Sequence, residues 1–291
     1  MQRPFVFPTL GAAFGITLLA ILSFAVVDLA AGSAGSPQLA DALGLVLGFG
    51  GVGTLMARYV PPPQAERLGL RGMRLRFLVP LLLLIPVALL ASELDNVVRA
   101  VLSQAQGSEL QELRQNLSSA GVLELLQGAI VAVGILPVVS EWFYRGVVQQ
   151  GLVAQLGAGR GIVITALLYA VALSHGAVGP SFVLWFAATL SEFAAGIAYG
   201  VARHYSGSLL APILLHLALN ASGSLALGFA GRFPIPGFNA AGAHTPIQYL
   251  IPAAVSVALG VALFVRLCES PRPVPPLEIA ANKGKSAPPR S

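Results

Sequence analysis

Eight long stretches of mostly apolar residues dominate this sequence and restrict its fold more than any other feature. A helix needs roughly 20 apolar residues to cross the hydrocarbon core of a bilayer, where every backbone N–H and C=O must find a partner. Only 10% of the residues are charged, against about 25% in soluble proteins. We therefore predict an all-α integral membrane protein, a multi-pass bundle of about eight transmembrane helices. The predicted spans are Phe5–Ala30, Ala40–Val60, Phe77–Leu94, Val122–Leu152, Gly161–His175, Phe182–Ala202, Ser208–Ala230 and Ile247–Leu267.

The sequence divides into four regions on this interpretation. Residues 1–121 hold the first transmembrane segments, together with an amphipathic helix at the outer interface from about Asp95 to Ser119. Residues 122–230 form a core that carries the unusual polar groups, and residues 231–268 hold the last transmembrane helix. Residues 269–291 are rich in Pro, Ala, Lys and Arg and are predicted to be a disordered basic tail.

Basic residues are distributed unequally between the two sides of the predicted bundle. Loops rich in Lys and Arg remain in the cytoplasm, so this bias orients the chain. The richer side carries Arg3, Arg58, Arg67, Arg71, Arg74, Arg76, Arg160, Arg203, Arg266, Arg272, Lys283, Lys285 and Arg290, and the opposite side carries Arg99, Arg114 and Arg232. We predict a plasma or inner membrane protein with both termini in the cytoplasm. The net charge of +5 then reflects orientation in the lipid bilayer, and no nucleic-acid partner is predicted.

The polar residues inside the predicted spans are few, and such groups in a membrane indicate function by default. Glu141 and Arg145 are four residues apart, so on a helix they share one face. Pro137 lies one turn earlier and removes a backbone hydrogen bond, which can kink the helix. The pair has two interpretations, a direct chemical role or a buried ion pair that locks two helices together.

Two further polar groups follow along the chain. His175 ends the fifth predicted span, and His216 and Asn220 share one face of the seventh. The last two offer a base or donor and an amide that could stabilise an oxyanion, or else an interhelical hydrogen-bond clasp. Glu192, in the sixth span, is either a hydrogen-bond partner for a neighbouring helix or a further carboxylate.

In order and rough spacing, these three groups resemble the E-E-x-x-x-R, F-x-x-x-H and H-x-x-x-N motifs of the CPBP family, the CAAX prenyl protease type II and ABI proteins. The resemblance covers about residues 122–221. It implies an α-helical intramembrane endopeptidase that acts on a membrane-associated peptide or protein. It also implies that a glutamate and His175 activate water, and that His216 and Asn220 stabilise the oxyanion. On this basis the predicted catalytic residues are Glu141, His175, His216 and Asn220, supported by Arg145, Ser140 and Glu192.

The sequence departs from these motifs at two positions. Ser140 stands where the family has its first glutamate, and Val171 stands where it has an aromatic residue. A serine hydroxyl cannot replace a carboxylate as general base, so Glu141 or Glu192 would have to supply that group.

Three function classes follow from these observations. The first is peptide hydrolysis in the membrane, and the second is a catalytically impaired relative that acts as a scaffold or binds peptides. A transporter would also place polar groups at mid-membrane, but the order of the motifs argues against it. For the enzyme, a variant mechanism adds Zn²⁺ held by His175 and His216 with one glutamate, although no H-E-x-x-H motif is present.

Overall fold

The computed structural model describes residues 6–32, 37–102, 121–174 and 182–268. Apart from an isolated bridge between Pro236 and Ala240, the regular elements in these ranges are helices. Seven of them are long and apolar enough to cross a membrane, and one apolar helix is shorter. The predicted all-α, multi-pass fold class is thereby confirmed. These eight apolar helices are α1 Leu10–Gly32, α2 Pro37–Ala57, α3 Leu75–Val101, α4 Val122–Leu156, α5 Ala158–Leu173, α6 Phe182–Ser206, α7 Leu210–Gly228 and α8 Ile247–Leu267. A further short helix, Gln64–Leu68, lies between α2 and α3.

The observed helix α3 is longer than the sequence predicts. It continues past Leu94 to Val101, so the start of the predicted amphipathic helix belongs to α3. Asp95 and Arg99 pair across one turn at 2.6 Å, which lets the helix carry these charges without ending. The rest of the predicted amphipathic helix and the predicted disordered tail lie outside the described residues. The division of the chain into four regions stays a prediction.

The outer surface of the bundle is apolar, as expected of a protein surrounded by lipid. Val26, Leu29, Val122 and Leu123 each expose two thirds or more of their side chains. Lipid tails are as apolar as these residues, so the exposed leucines and valines cost little there. The polar side chains described below are instead turned into the bundle.

Helices α4, α5, α6 and α7 surround the candidate site, and α3 packs on α6. Helix α6 packs along both α5 and α3, the C-terminal part of α4 packs on α5, and α7 packs on α6. A chain of aromatic rings crosses this region, with Phe143, Tyr144, Tyr169 and Tyr199 almost completely buried and neighbouring ring centroids 4.8–5.9 Å apart. Edge-to-face pairs of this kind stabilise a core beyond the area that they bury. They hold α4, α5 and α6 in a defined arrangement around the polar residues.

Candidate active site

Helix α4 changes its environment where the first polar group begins. Its N-terminal half faces outward, with Ile130 60% exposed, whereas Ser140, Glu141 and Arg145 are 0–1% exposed. The charged pair therefore lies in the protein interior and not at a lipid-facing position. This location agrees with the rule that ionisable groups within a membrane face the bundle interior.

Two π-helical segments interrupt α4, one on each side of the turn that carries Ser140 and Glu141. They run from Ile130 to Ile135 and from Trp142 to Val148. Such segments widen the helix, and they occur frequently at functional sites. They also change the rotation of the helix along its length, so residues far apart on α4 do not share a face by a regular 3.6-residue period.

Pro137 accounts for one contact of the predicted site. In the first π-helical segment the N–H of Leu136 donates to the carbonyl of Val131, five residues earlier. By the same spacing the carbonyl of Ala132 would pair with residue 137, which as proline has no N–H. The side-chain amide of Asn220 donates to this Ala132 carbonyl at 2.7 Å. Asn220 thus links α7 to α4 at the predicted helix irregularity.

The centre of the site is a buried chain of three side chains. One oxygen of Glu141, Oε1, lies 3.1 Å from Nη1 of Arg145 and 2.9 Å from Nδ1 of His216. Glu141 and Arg145 are fully buried, and His216 is 2% exposed. The structure thus brings together Glu141, Arg145 and His216 of the predicted site, and it includes the ion pair that the spacing of α4 indicates.

Aromatic rings pack against the two basic side chains at the centre of the site, Arg145 and His216. The guanidinium carbon of Arg145 lies 4.3 Å from the ring centre of Tyr169 and 5.1 Å from that of Tyr199. The imidazole of His216 stacks on Tyr199, with centroids 4.5 Å apart and planes tilted by 15°. Cation–π contacts of this kind gain strength when water is excluded. Together they fix the positions of the guanidinium and the imidazole relative to Glu141.

Two glycines of α6, Gly196 and Gly200, pack closely against α5 and offer their carbonyls to side chains of α4. The carbonyl of Gly196 accepts from Nη2 of Arg145, and that of Gly200 accepts from Nε2 of Gln149, both at 2.9 Å. A Cβ at Gly200 would come within 2.7 Å of the Ile162 side chain. The G-x-x-x-G spacing therefore serves close helix packing here, as such patterns do in membranes.

Several buried polar atoms near Glu141 have no hydrogen-bond partner among the described residues. They are Oε2 of Glu141, Nε of Arg145, the hydroxyl of Tyr144 and Oε1 of Gln149. Buried polar groups are nearly always paired, and an unpaired one indicates a role or an additional partner. The second carboxylate oxygen of Glu141 is thus the candidate acceptor for a further group at this site.

Ser140 and Glu192 have local partners of their own. The Ser140 hydroxyl donates to the carbonyl of Leu136 at 2.6 Å, within its own helix. Glu192 accepts from the hydroxyl of Tyr169 at 3.0 Å, so the interhelical hydrogen bond considered for it is present. Through Tyr169, Glu192 is connected to the same aromatic rings that enclose Arg145.

His175 lies outside the described residues, so its predicted place in the site stays a prediction. The residue before it, Ser174, is buried, and its hydroxyl lies 2.7 Å from that of Thr189 in α6. The C-terminal end of α5 is therefore held to α6 directly before the predicted catalytic histidine.

The described part of the chain contains no group of three or more His, Cys, Asp and Glu side chains that could hold a metal ion. Glu141 and His216 supply two donors, one short of the three protein ligands of a catalytic zinc site, and Glu141 also pairs with Arg145. Because the predicted zinc set includes His175, it remains a prediction.

Two residues at the site, Gln149 and Tyr199, were not predicted from the sequence. Gln149 is four residues after Arg145 and continues the polar stripe of Glu141 and Arg145, so its spacing was a usable signal. Tyr199 stacks on His216, but an aromatic residue in an apolar helix does not differ in sequence from an ordinary packing residue.

Comparison with known proteins matches this part of the chain to one family. Residues 122–222 match the family described as type II CAAX prenyl endopeptidase Rce1-like, whose members are intramembrane endopeptidases. The match begins at the first residue of α4 and ends within α7, so it contains Glu141, Arg145, His175, His216 and Asn220. The chain has no significant match among curated proteins or solved structures.

Proposed function

We propose that this protein is an intramembrane endopeptidase acting on membrane-associated peptides. The proposal is supported by the match of residues 122–222 to the Rce1-like type II CAAX prenyl endopeptidase family. The observation that supports catalysis best is the buried contact between Glu141 and His216. A carboxylate that holds an imidazole in one orientation is a recurring arrangement in hydrolases.

In this proposal the contact with Glu141 leaves Nε2 of His216 available for chemistry. In a neutral imidazole one nitrogen carries the proton and the other accepts. A proton on Nδ1 is donated to Glu141, so Nε2 keeps its lone pair and can act as a general base. In this proposal Nε2 removes a proton from water, the resulting hydroxide attacks the peptide carbonyl, and the proton is later passed to the leaving amine.

Two further groups have roles in this proposal. The unpaired Oε2 of Glu141 can accept a hydrogen bond from the attacking water. Asn220 uses one amide hydrogen for the Ala132 carbonyl, and its second amide hydrogen remains for the developing oxyanion. The family resemblance adds His175 as a second group that activates the water.

One observation favours the alternative function, a scaffold or peptide-binding protein. Ser140 stands where the family has a glutamate, and its hydroxyl is bound to its own helix. Glu141, the neighbouring carboxylate, is already shared by Arg145 and His216. A chain without a carboxylate free to accept the water's proton could bind peptides without cutting them.

A cleavage assay in proteoliposomes tests this proposal. We expect the full-length protein to cleave a lipid-anchored peptide and His216→Ala to reduce the rate at least about 10²-fold, as removal of a general base does. His216→Gln should be equally impaired if His216 is the base, because glutamine can donate a hydrogen bond but cannot accept the proton. His204→Ala is the matched control, since His204 lies in the last turn of α6 with its ring against Tyr205, whereas the hydrogen bonds of Glu141 go to Arg145 and His216.

The outcomes of the assay separate the two functions. Cleavage that survives His216→Ala contradicts the proposed base. No cleavage by the wild type, together with saturable binding of the same peptide, supports the scaffold instead. Thermal unfolding of each variant shows whether a lost activity reflects lost folding.

We also propose that the protein lies in the plasma or inner membrane with both termini in the cytoplasm. The support is the basic cluster between α2 and α3, because such loops stay on the cytoplasmic side. Reporter fusions at each end should both give a cytoplasmic signal. A C-terminus on the opposite side would contradict the topology.

A further inference from the structure

The loop that joins α2 to α3 is strongly basic. We call residues 58–76 the basic loop; it contains five arginines and one acidic residue, Glu66. Arg58 and Arg71 are exposed, and Arg71 pairs with Glu66 at the surface. Since the loop connects two helices that can cross a membrane, it lies at a membrane surface.

Large apolar side chains are exposed among these arginines. Leu70 is 55% exposed and Leu75 is 78% exposed, and Tyr59 at the start of the loop is 58% exposed. Arginines beside exposed leucines and an aromatic residue are typical of a segment that lies in the interface between lipid headgroups and acyl chains. A soluble acidic partner would account for the arginines but not for the exposed leucines.

The basic loop is bound to the end of α6 and to the turn between α6 and α7. The backbone carbonyl of Arg67 accepts from Nη2 of Arg203 in the last turn of α6 at 2.7 Å. In the turn, Leu209 N donates to the Gly69 carbonyl at 2.8 Å and Ser208 Oγ donates to the Arg71 carbonyl at 2.6 Å.

Gly69 is required for this contact. Its φ is +76°, and a Cβ there would lie 2.6 Å from the Arg203 guanidinium carbon. Because these three anchors are backbone carbonyls, replacing the side chains of Arg58 and Arg71 leaves all three contacts available.

We propose that the basic loop is a binding surface for anionic phospholipid headgroups, with Leu70 and Leu75 inserted among the adjoining acyl chains. Arginine forms paired hydrogen bonds with phosphate oxygens, and basic residues at a membrane surface are attracted to anionic lipid. This surface is separate from the buried Glu141 chain, so the inference does not depend on the proposed endopeptidase activity. Because the basic loop is bound to the turn before α7, it adjoins the helix that carries His216.

A fluorescence titration of the full-length protein tests this inference. The single cysteine, Cys268, lies one turn beyond Phe264, whose ring stacks on Phe77 at 5.5 Å, next to the basic loop. A bimane label on Cys268 reports the approach of brominated phosphatidylglycerol titrated into phosphatidylcholine nanodiscs. We expect saturable quenching that weakens when salt rises from 0.1 to 1 M, because the screening length falls from about 10 to 3 Å.

Substitutions identify the side chains responsible. We expect Arg58→Gln with Arg71→Gln to weaken apparent phosphatidylglycerol binding roughly 30-fold, at about fivefold for each charge. The matched control, Arg160→Gln with Arg232→Gln, removes two exposed arginines elsewhere and should leave binding within about twofold of wild type. A further variant, Leu70→Ser with Leu75→Ser, should weaken binding without changing its salt dependence.

Four results would overturn the inference. The first is an unchanged affinity for phosphatidylglycerol in the Arg58→Gln, Arg71→Gln variant, and the second is an equal loss of affinity in the Arg160→Gln, Arg232→Gln control. The third is quenching that is unchanged at 1 M salt, and the fourth is complete competition by 10 mM inorganic phosphate. The last would indicate a simple phosphate site. Quenching relieved by a soluble acidic peptide alone would indicate a protein partner in place of lipid.

Discussion

Glu141→Gln is expected to destabilise the folded protein by about 3–5 kcal/mol, the cost of leaving one member of a buried ion pair without its partner. Glu141 and Arg145 are fully buried and 3.1 Å apart, so no solvent replaces the lost charge. The substitution also disturbs the Nδ1 contact of His216, which shares the same carboxylate oxygen. The tyrosine rings around Arg145 compensate only in part, because a cation–π contact is worth about 2 kcal/mol when desolvated.

The measurement is reversible unfolding in mixed micelles, with Glu66→Gln as the matched control. Glu66 and Arg71 also form an ion pair, but their side chains are 49% and 58% exposed, so their separation should cost no more than about 1 kcal/mol. Replacing both buried partners, as Glu141→Gln with Arg145→Met, should recover part of the loss because no buried charge then remains. A loss of under 1 kcal/mol for Glu141→Gln would mean that the pair is not a main support of the core.

Ser140→Glu is expected to raise the rate of peptide cleavage, by up to about 10²-fold if the general base is what limits the wild type. The substitution restores the carboxylate that the family has at this position. Ser140 is 1% exposed and its hydroxyl is bound to Leu136, so the wild-type residue has no free group for this role. The new carboxylate lies one residue before Glu141, at a position that is buried in the bundle. The extra buried group should also lower the stability.

Ser140→Gln is the matched control, since it has the size of glutamate without its acid–base chemistry. The rate should rise with Glu and not with Gln, and Ser140→Ala should resemble the wild type. A folded Ser140→Glu variant with unchanged or lower cleavage would show that position 140 does not reach the reacting bond. Wild-type cleavage that survives Ser140→Ala but fails in Glu192→Gln would indicate that Glu192 supplies the carboxylate that assists His216. Absence of cleavage in all of these variants would favour the scaffold function.

The sequence was sufficient to predict the class of fold. Apolar stretches of spanning length can satisfy their backbone groups in lipid only as helices, so composition and length predicted the helices with little help from packing. The same reasoning located α5 as a short helix and singled out Glu141, Arg145 and His216, because charged and polar groups are rare and costly at membrane depth. The pairing of Glu141 with Arg145 was also predictable, since it depends only on a separation of four residues along one helix.

The partners across helices were decided by the tertiary structure alone. The contact of His216 with Glu141, rather than with any other polar group, depends on how α7 is rotated against α4. That rotation cannot be deduced from residue spacing, because two π-helical segments interrupt the regular period of α4. The same is true of Asn220, whose partner is a carbonyl that Pro137 leaves unpaired. The sequence thus determined which side chains had to be buried in the bundle, away from lipid. The irregular backbone of α4 and the packing of α6 determined which atoms these side chains contact.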